Sequence, residues 1–268
     1  MKAQLIITHP GSAHFDEITA IGLILATHTD ELFTIERREP VPAELDNPAV
    51  WIIDIGNRHE PEKRNFDHHQ EINCPVAFVL VAKYLGLLET MSVMPWWNFK
   101  DSVDRIGPTR SSTKYHAGDY LVNQNPVESW LVARFAFEPE TSLPLLKAFG
   151  THIIDSARKL KKQIDFWKTS TRIVIAGLPA IIGETRESAG LEEFRRMDTN
   201  PPDIVISLDR RDNGWRLYRY DGTPVDFSLI SDYPAISFAH KSGFMAKTKE
   251  RLAIDDLIAL VSKAVIGY

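Results

Sequence analysis

The segment QLIITHPGSAHFDE, residues 4–17, contains the pattern that decides the fold. It opens with a short apolar run at residues 5–8, typical of a buried strand, and this run stops at the loop signal HPG of residues 9–11. Residues 16–26 then have the pattern of a buried helix, with acidic residues in the first turn, where the helix dipole favours negative charge. A strand, a loop and a helix in this order predict the first unit of an α/β fold.

Strands and helices continue to alternate through the first half of the chain. Residues 33–38 alternate between apolar and polar side chains like a strand, and residues 50–55 form the nearly continuous apolar run of a strand covered on both faces. Residues 75–88 are apolar at helical spacing. This alternation predicts a doubly wound parallel sheet, the α/β fold class.

The character of the sequence changes near residue 170. Residues 127–168 carry helical patterning, whereas the segments after residue 171 are strand-like and broken by turn signals, among them the hairpin signal DNG at residues 212–214. A last amphipathic helix is predicted over residues 254–265. The predicted parts are a parallel-sheet domain at residues 1–126, a helical connector at residues 127–170 and a smaller α/β domain at residues 171–268.

Composition excludes several classes of protein. The 268 residues include 31 basic and 36 acidic ones, so the net charge is −5, whereas proteins that hold polynucleotides by nonspecific attraction are usually basic. The single cysteine, Cys74, excludes disulfide scaffolds and zinc modules built on cysteine. The longest apolar runs fall far short of the roughly 18–20 residues that span a bilayer, so we expect a cytoplasmic protein without membrane association.

Histidines and aspartates follow three predicted strands at the point where each strand ends. In open parallel sheets, ligands bind outside the carboxyl ends of the strands, so these side chains are expected to meet at one edge. The candidates are His9, His14 and Asp16 after the first strand, Asp54 at the end of the WIID strand, and Asp67, His68 and His69 in the next motif.

Histidine and carboxylate without thiolate form the ligand set of Mn, Fe, Co or Zn with open coordination positions. The candidates outnumber the ligands of one ion, and they suit two ions roughly 3.5–4 Å apart that share a bridging carboxylate. Three aspartates against the four charges of two divalent ions leave one positive charge to stabilise a phosphate oxygen. The residues therefore predict metal-assisted hydrolysis of a phosphoester.

These motifs resemble those of the DHH phosphoesterase superfamily, which is named for an Asp-His-His triplet, present here at residues 67–69. The resemblance is closest to the melanocyte-proliferating-gene exonuclease family, whose Thr-His-x-Gly-x-x-His-x-Asp motif is similar to residues 8–16. Further segments similar to family motifs are Arg38-Glu39-Pro40, Asp54-Ile55-Gly56, residues 66–70, Asn125-Pro126 with Trp130, and residues 238–244.

The resemblance implies a role for each metal-site residue. The implied ligands are His9 and His14 for one ion, Asp16 and His68 for the other, and Asp54 as the bridge between them. A fourth aspartate is expected downstream, with Asp104 as the first choice and Asp101 as the second. The two lie three residues apart on a predicted helix, so both can face the site, and a solvated helix end is the alternative.

Further roles follow from the same resemblance. His69 is similar to the histidine that contacts phosphate, and Asp67 is expected to orient a ligand histidine. Arg38 is a candidate phosphate clamp, with an ordinary surface arginine as the alternative.

The part from residue 171 onward resembles the DHHA1-like substrate-binding domain of the superfamily. There His240, Ser242 and Gly243 would form a loop whose backbone approaches a phosphate or a nucleobase, which glycine permits. Lys247 offers a further cation beside this loop. A plain histidine at a strand end is the alternative for His240.

Three interpretations of function are open. The first is a two-metal phosphodiesterase, with Mn as the expected ion, that trims RNA or short oligonucleotides from the 3′ end. The acidic chain favours short pieces. The second is a phosphomonoesterase or pyrophosphatase that acts on a small nucleotide, and the third is a metal- or nucleotide-binding protein with weak or no catalysis. A homodimer is one assembly that the sequence leaves open.

Other conspicuous residues have simpler explanations. Trp96, Trp97 and Trp167 have the chemistry to stack on bases, but packing in the core explains them better. The basic stretch at residues 158–162 is expected to be a solvated helix face, with an anion-binding surface as the alternative. Cys74 is expected to be a packing residue, because a thiol nucleophile needs a base of its own.

Overall fold

The computed structural model describes residues 3–117 and 125–267. The chain divides into two compact units, Met1–Lys159 and Leu160–Tyr268. The three-part division expected from the sequence stays a prediction. Within the described ranges, no helix combines the length and the apolar character needed to cross a lipid bilayer.

The first unit is built on a five-stranded sheet with the order β2-β1-β3-β5-β4. Strands β1, β2, β3 and β5 are mutually parallel, and only the short β4 runs antiparallel, beside β5. The strands are β1 (Gln4–Thr8), β2 (Phe33–Arg37), β3 (Val50–Ile53), β4 (His59–Glu60) and β5 (Asn65–Phe66). The predicted parallel sheet in a mixed α/β fold is therefore confirmed.

The described residues of this unit form eight α-helices, and the last of them continues beyond residue 159. They are α1 (Phe15–Thr27), α2 (Pro42–Leu45), α3 (Ala77–Tyr84), α4 (Leu88–Met91), α5 (Trp97–Ile106), α6 (Pro108–Tyr115), α7 (Pro126–Phe137) and α8 (Pro139–Thr169). The sequence predicts one helix over residues 75–88, but the chain turns at Gly86, whose φ of +70° suits glycine, and separates α3 from α4.

The two faces of the first sheet differ in their cover. Ile6 and Trp51 face the main core, which contains α1 and α3, whereas Ile7 and Ile52 face the other side with Leu45 of the short helix α2. Strand β3 is buried at every residue, as its continuous apolar run predicts. Helix α1 is buried from Asp16 to Leu25, because its apolar residues are not confined to one stripe.

The order of the strands creates a crevice at the carboxyl end of the sheet. From β1 the chain passes through α1 to β2 on one side, and it later returns to place β3 on the other side of β1. Such a point of reversal is where open α/β sheets bind ligands. His9 follows β1 and Asp54 follows β3, so both residues emerge at this point.

Two glycines bring helices α1 and α8 into backbone contact. A Cβ atom on Gly150 would lie 1.9 Å from the carbonyl oxygen of Gly22, so no other residue fits at position 150 without a shift. The contact fixes α1, the helix whose first turn contains the candidate ligand Asp16, against the first half of α8.

The second unit contains a six-stranded sheet with the order β10-β11-β9-β8-β7-β6. Neighbouring strands are antiparallel, except for the parallel pair β7 and β8. The elements are β6 (Thr171–Ile175), β7 (Leu178–Gly183), α9 (Leu191–Met197), β8 (Ile204–Leu208), β9 (Trp215–Arg219), β10 (Ile236–Ala239), β11 (Met245–Thr248) and α10 (Ile254–Ser262). The DNG signal lies in the connection between β8 and β9, which form the predicted antiparallel pair.

The pleat of this second sheet sends alternate side chains to two faces. One face, which includes Ile206, Leu217 and Ala246, packs against Leu257 and Val261 of α10 in the apolar core. On the opposite face Trp167 lies over Gly183, where a Cβ atom would come within 2.5 Å of the indole ring.

Candidate metal centre

The predicted ligands come together at the carboxyl edge of the first sheet. Strands β1, β3 and β5 are adjacent and parallel, so the residues that follow them emerge side by side. His9 and His14 come from the loop after β1, Asp54 directly follows β3, and His68 and His69 follow β5. The first turn of α1 adds Asp16, and α5 adds Asp104.

Three groups of side chains have the composition and spacing of metal ligands. In each group the candidate ligand atoms lie within 4.8 Å of one another. The groups are His9, His14 and Asp54; Asp54, His68 and His69; and Asp16, His68 and Asp104. Because Asp54 and His68 each belong to two groups, the three form one continuous cluster.

His68 lies at the middle of this cluster. Its Nε2 atom is 3.1 Å from Oδ2 of Asp104, 3.3 Å from Oδ1 of Asp54 and 3.7 Å from Oδ2 of Asp16. On the other side of Asp54, Nε2 of His9 lies 3.6 Å from Oδ2. The two carboxylate oxygens of Asp54 therefore face different histidines.

Buried atoms without a hydrogen-bond partner test whether a cation fits here. Among the described residues, Nε2 of His9, Nε2 of His68 and both carboxylate oxygens of Asp54 are buried and lack such a partner. Buried polar atoms are nearly always satisfied, so four unsatisfied ligand atoms in one cluster require an explanation. Divalent cations coordinated by these nitrogen and oxygen atoms would satisfy all four, so the residues fit a metal centre.

The pKa values of the cluster indicate an excess of negative charge. The nearby carboxylate of Asp54 raises the pKa of His9 to about 9, against the effect of burial. Burial alone would lower the pKa of His68, but Asp104 and Asp54 outweigh it and raise that pKa to about 10. Burial also raises the pKa of Asp16, with further contributions from Asp54 and Asp104. Without a metal, protons supply the positive charge that these carboxylates need.

The backbone of Asp54 is in the left-handed region, with φ at +59°. Its amide donates a hydrogen bond to the carbonyl of Phe66, which holds the turn after β3 against β5. Non-glycine residues are uncommon in this region, although aspartate and asparagine tolerate it better than most. Such conformations concentrate at functional sites.

Asp16 has a structural contact as well as a place in the cluster. Its Oδ2 accepts a hydrogen bond of 2.8 Å from the amide of Ala77, and its Oδ1 accepts one of 2.6 Å from the amide of Phe78. These are amides of the first turn of α3, which have no partner within that helix. The carboxylate thus joins the start of α1 to the start of α3.

Asp67 lies beside the cluster and holds His69. Its Oδ1 accepts from the amides of His68 and His69 and from Nδ1 of His69, the last at 2.7 Å, and its Oδ2 accepts from the amide of Asn57. Both oxygens are occupied, so Asp67 orients its neighbours, and it belongs to none of the three ligand groups. The side chain of His69 is 56% exposed and faces solvent at the rim of the site.

The two candidates for the fourth aspartate have different surroundings. Asp104 lies within the cluster beside His68. Asp101 instead accepts a hydrogen bond from the amide of Val76 and forms an ion pair of 2.6 Å with Arg105. The structure therefore brings Asp104 to the site, while Asp101 stabilises the start of α3.

Arg38, the expected phosphate clamp, pairs with acidic side chains of the first unit, and its role toward a phosphate stays a prediction. Its guanidinium pairs with Glu36 and Glu44, each at 2.6 Å, and donates to the carbonyl of Glu39. These partners accept hydrogen bonds from four of the five N–H groups of the guanidinium. Its side chain is 38% exposed at the surface of the first unit.

The neighbouring arginine, Arg37, lies beside the motif loop instead. It donates to the carbonyl of Gly11 at 3.0 Å and lies 3.4 Å from the buried carboxylate of Glu17. Glu17 also accepts from Thr8 and from the amide of His14, and it lies 3.3 Å from Nε2 of His9.

Sequence reasoning missed Glu17 and Arg37, although a signal existed for the arginine. Side chains alternate along β2, and Ile35 is buried, so position 37 points to the buried face and position 38 does not. Arg37 also pairs in register with Thr8 of β1, which places both side chains on one face.

A pocket of 270 Å³ opens beside the ligands. His14, Asp16 and Asp104 line one side, with Phe78 and Lys100 among the remaining walls. Lys100 forms an ion pair with Glu128 in the same pocket.

In the second unit, the predicted substrate residues occupy two different places. His240, Ser242 and Gly243 form the tight turn between β10 and β11, in which the amide of Gly243 donates to the carbonyl of His240. At Gly243, with φ at +69°, a Cβ atom would come within 2.0 Å of Asp226. Lys247 lies on β11 away from this turn, and its Nζ pairs with Asp209 at 2.8 Å.

The tryptophans and the cysteine have the simpler roles expected of them. Trp97 and Trp167 are buried, and Trp96 packs against the core of the first unit. Burial raises the pKa of the Cys74 thiol, which disfavours a thiolate nucleophile.

Comparison with known protein families gives a match at the N-terminal motifs. Residues 5–75 match the model of the MYG1_exonuc family, which is described as an uncharacterised protein family (UPF0160). The matched segment contains the candidate ligands from His9 to His69.

Two curated relatives match over 64 residues. The MYG1 protein of Chlamydia trachomatis is 36% identical and the MYG1 protein of Chlamydia pneumoniae is 38% identical. Each alignment covers 24% of this chain and 21% of the relative, so the chain matches about a fifth of the length of these relatives.

Solved structures of RecJ also align with the chain. RecJ from Thermus thermophilus in complex with Mg²⁺ has 11% identity and a TM-score of 0.28, and the same protein in complex with Mn²⁺ has 12% identity and a TM-score of 0.26. Both alignments cover 97% of this chain and about half of RecJ, 49% and 51%. Scores this low do not establish a common arrangement of the whole chains.

Proposed function

We propose that this protein is a metal-dependent phosphoesterase that hydrolyses short RNA or oligonucleotides from the 3′ end, with two divalent ions, Mn²⁺ first among them. The observation that carries the proposal is the set of buried, unpartnered ligand atoms on His9, Asp54 and His68. The family match over residues 5–75 supports it, because the name of that family refers to an exonuclease.

The ligand groups suggest how two ions would be held. His9 and His14 with Asp54 would hold one ion, and Asp16, His68 and Asp104 would hold the other, with Asp54 shared between them. Divalent cations bound in this way supply positive charge that activates water and stabilises the charge that develops on phosphorus.

The remaining residues would position the substrate. His69 is exposed at the rim and is fixed by its hydrogen bond to Asp67, so its ring can donate to a phosphate oxygen without first losing freedom of rotation. Arg37 and Glu17 would hold the loop that carries His9 and His14.

The pocket beside His14, Asp16 and Asp104 supports a small substrate. A volume of 270 Å³ is at the lower end of ligand pockets, so it suits a single nucleotide rather than a longer segment. The same observation favours the second candidate function, a phosphomonoesterase or pyrophosphatase on a small nucleotide.

One experiment separates these functions. The protein with Mn²⁺ is incubated with bis-p-nitrophenyl phosphate, a 5′-labelled short RNA, a DNA of the same sequence and 3′-phosphoadenosine 5′-phosphate. Stepwise shortening of the RNA is the expected result, whereas release of phosphate from the small nucleotide alone would favour the second function.

Two variants control this assay. Asp54→Ala should abolish hydrolysis, and Cys74→Ala should retain it. A protein that binds two metal ions but cleaves none of the four substrates is not a hydrolase of these compounds, and an active Asp54→Ala variant would remove the bridging role of Asp54.

A further inference from the structure

Half of one face of the second sheet is left open. On this face, α9 covers the part near β6 and the end of β9, where Arg172 lies over Phe194 and Arg195 lies over Tyr220. Among the described residues of the second unit, no helix lies over the part formed by β9, β11 and β10. We call this part the open face, and it presents Arg216, Lys247, Phe238, Tyr218 and Met245.

The register of the strands explains why these side chains share a face. Arg216 of β9 is paired with Lys247 of β11, and Lys247 is paired with Phe238 of β10. Directly paired residues point to the same side of a sheet. The alternate residues, Leu217 and Ala246, point to the apolar core on the opposite side.

A cleft of 560 Å³ lies between the open face and the loop after β8. Four cationic side chains line it, against two carboxylates. The cations are Arg210, Arg211, Arg216 and Lys247, and the carboxylates are Asp209 and Asp212. This local excess of positive charge occurs in a chain whose net charge is −5.

The four cations are not equally available. Lys247 is neutralised by Asp209, and Arg210 donates to the carbonyl of Arg186 and lies 3.7 Å from Glu187. Arg211 and Arg216, by contrast, have no carboxylate within 4.0 Å among the residues that the structure describes. These two guanidinium groups are free to bind an anion from outside the molecule.

An exposed aromatic ring lies beside these charges. Phe238 is 44% exposed although it belongs to a sheet, and its paired neighbour Lys247 lies in the same cleft as Arg216. Arg216 itself lies over the ring of Tyr218, with its guanidinium carbon 5.2 Å from the ring centre. Cations for phosphates next to aromatic rings for bases are the two elements of single-strand recognition on open surfaces.

We propose that the open face binds a single strand of nucleic acid, with phosphates on Arg211 and Arg216 and a base against Phe238. The choice of ligand rests on the proposed function, since the same cations would also attract other polyanions. A nucleic-acid strand is favoured over an acidic peptide because a peptide of acidic residues has no planar group for the exposed ring.

The test measures binding without hydrolysis. The full chain is titrated into a 5′-labelled short single-stranded RNA in EDTA, and fluorescence anisotropy is followed at several salt concentrations. Arg211→Gln/Arg216→Gln should weaken binding at least about tenfold, and it should lower the salt dependence, on logarithmic axes, by roughly 0.7 for each lost phosphate contact. Phe238→Ala should weaken binding about tenfold at an unchanged salt slope.

The matched control removes the same charge from another basic surface. Arg158→Gln/Lys159→Gln, on helix α8, should bind RNA as the wild type does. An equal loss in this control, wild-type affinity in the Arg211→Gln/Arg216→Gln variant, or equally tight binding of poly-glutamate would each overturn the proposal. The protein could bind RNA through these arginines and yet hydrolyse none of the substrates with Mn²⁺. That result would support nucleic-acid binding by the open face and would contradict only the proposed function.

Discussion

At Asp54 the backbone and the side chain are constrained together. The left-handed φ of +59° aims the carboxylate between His9 and His68, where both of its oxygens are buried. Substitutions at this position therefore change two properties, the backbone conformation and the charge, and different replacements separate them.

In the variant Asp54→Asn, asparagine tolerates the left-handed backbone conformation of this position. In Asp54→Ala, alanine adopts the same conformation only at a cost in free energy. In EDTA, we expect the alanine variant to be less stable than the asparagine variant by about 1 kcal/mol, the cost of this conformation for an ordinary residue. Urea unfolding measures the difference. Calorimetric titration with Mn²⁺ should show loss of binding in both variants, and equal stability of the two would argue against strain at this position.

Two adjacent arginines give a second contrast at this scale. Arg37 is 8% exposed and faces the buried carboxylate of Glu17, while Arg38 is 38% exposed and pairs with carboxylates at the surface. Arg37→Met should lower the free energy of unfolding by about 2–4 kcal/mol, because it removes the guanidinium that faces the buried carboxylate of Glu17. Arg38→Met should cost about 0–1 kcal/mol.

Chemical denaturation of both variants provides the measurement, with activity as a second readout. We expect the Arg38→Met variant to hydrolyse substrate at the wild-type rate, because in the wild type the guanidinium of Arg38 pairs with Glu36 and Glu44. A larger loss of stability in Arg38→Met than in Arg37→Met would contradict these contacts.

At the scale of elements, the crossing of α1 and α8 depends on the absence of side chains. Gly150→Ala places a methyl group against the backbone of Gly22, and overpacking of this kind costs about 1–3 kcal/mol. Helix α1 carries Asp16, so the shift should also weaken Mn²⁺ binding. Thr151→Ala, at the exposed neighbouring position, is the control and should leave both properties nearly unchanged.

The end of β8 gives an element-scale prediction for pH. Burial would raise the pKa of Asp209, but the ion pair with Lys247 and backbone amides outweigh it and hold this pKa below its ordinary value. A lowered pKa stabilises the fold above the unfolded-state value of about 3.9, and this contribution is lost as the pH falls through the folded-state value.

The difference in stability between wild type and Asp209→Asn should therefore be largest at neutral pH and shrink below about pH 4. Urea unfolding at a series of pH values gives this difference directly. A difference that stays constant down to about pH 3 would show that the ion pair contributes nothing through its charge.

The sequence predicts elements well where the signal is local. The strand at residues 5–8 and the helix at residues 16–26 lie within one residue of β1 and α1. The position of Asp54 followed from the continuous apolar run before it. Arg38 was singled out from a motif, whereas the pleat of β2 places Arg37 on the buried face.

Long-range contacts explain what sequence reasoning did not provide. Asp16 accepts a hydrogen bond from the start of α3, 61 residues downstream, and no local sequence pattern predicts a contact over that distance. The ion pair between Lys247 and Asp209 likewise joins residues that are 38 positions apart in the sequence.

For the whole molecule, binding of metal should be visible as stability. A ligand that binds only the folded state adds about 2.7 kcal/mol at a concentration of about 100 times its Kd. Thermal unfolding with excess Mn²⁺ should therefore occur at a higher temperature than in EDTA. Asp54→Asn should show no such increase, and an equal increase in that variant would place the bound ions elsewhere.

The two contacts of Asp16 bear on how related sequences are compared. A relative without the proposed metal centre would still need this carboxylate to hold the start of α3, so selection for folding alone would retain it. His9 differs, because its Nε2 atom has no hydrogen-bond partner in the described structure. A homologue with aspartate at position 16 but without the histidine at position 9 should therefore be classed as a folded relative that has lost a ligand of the proposed metal centre.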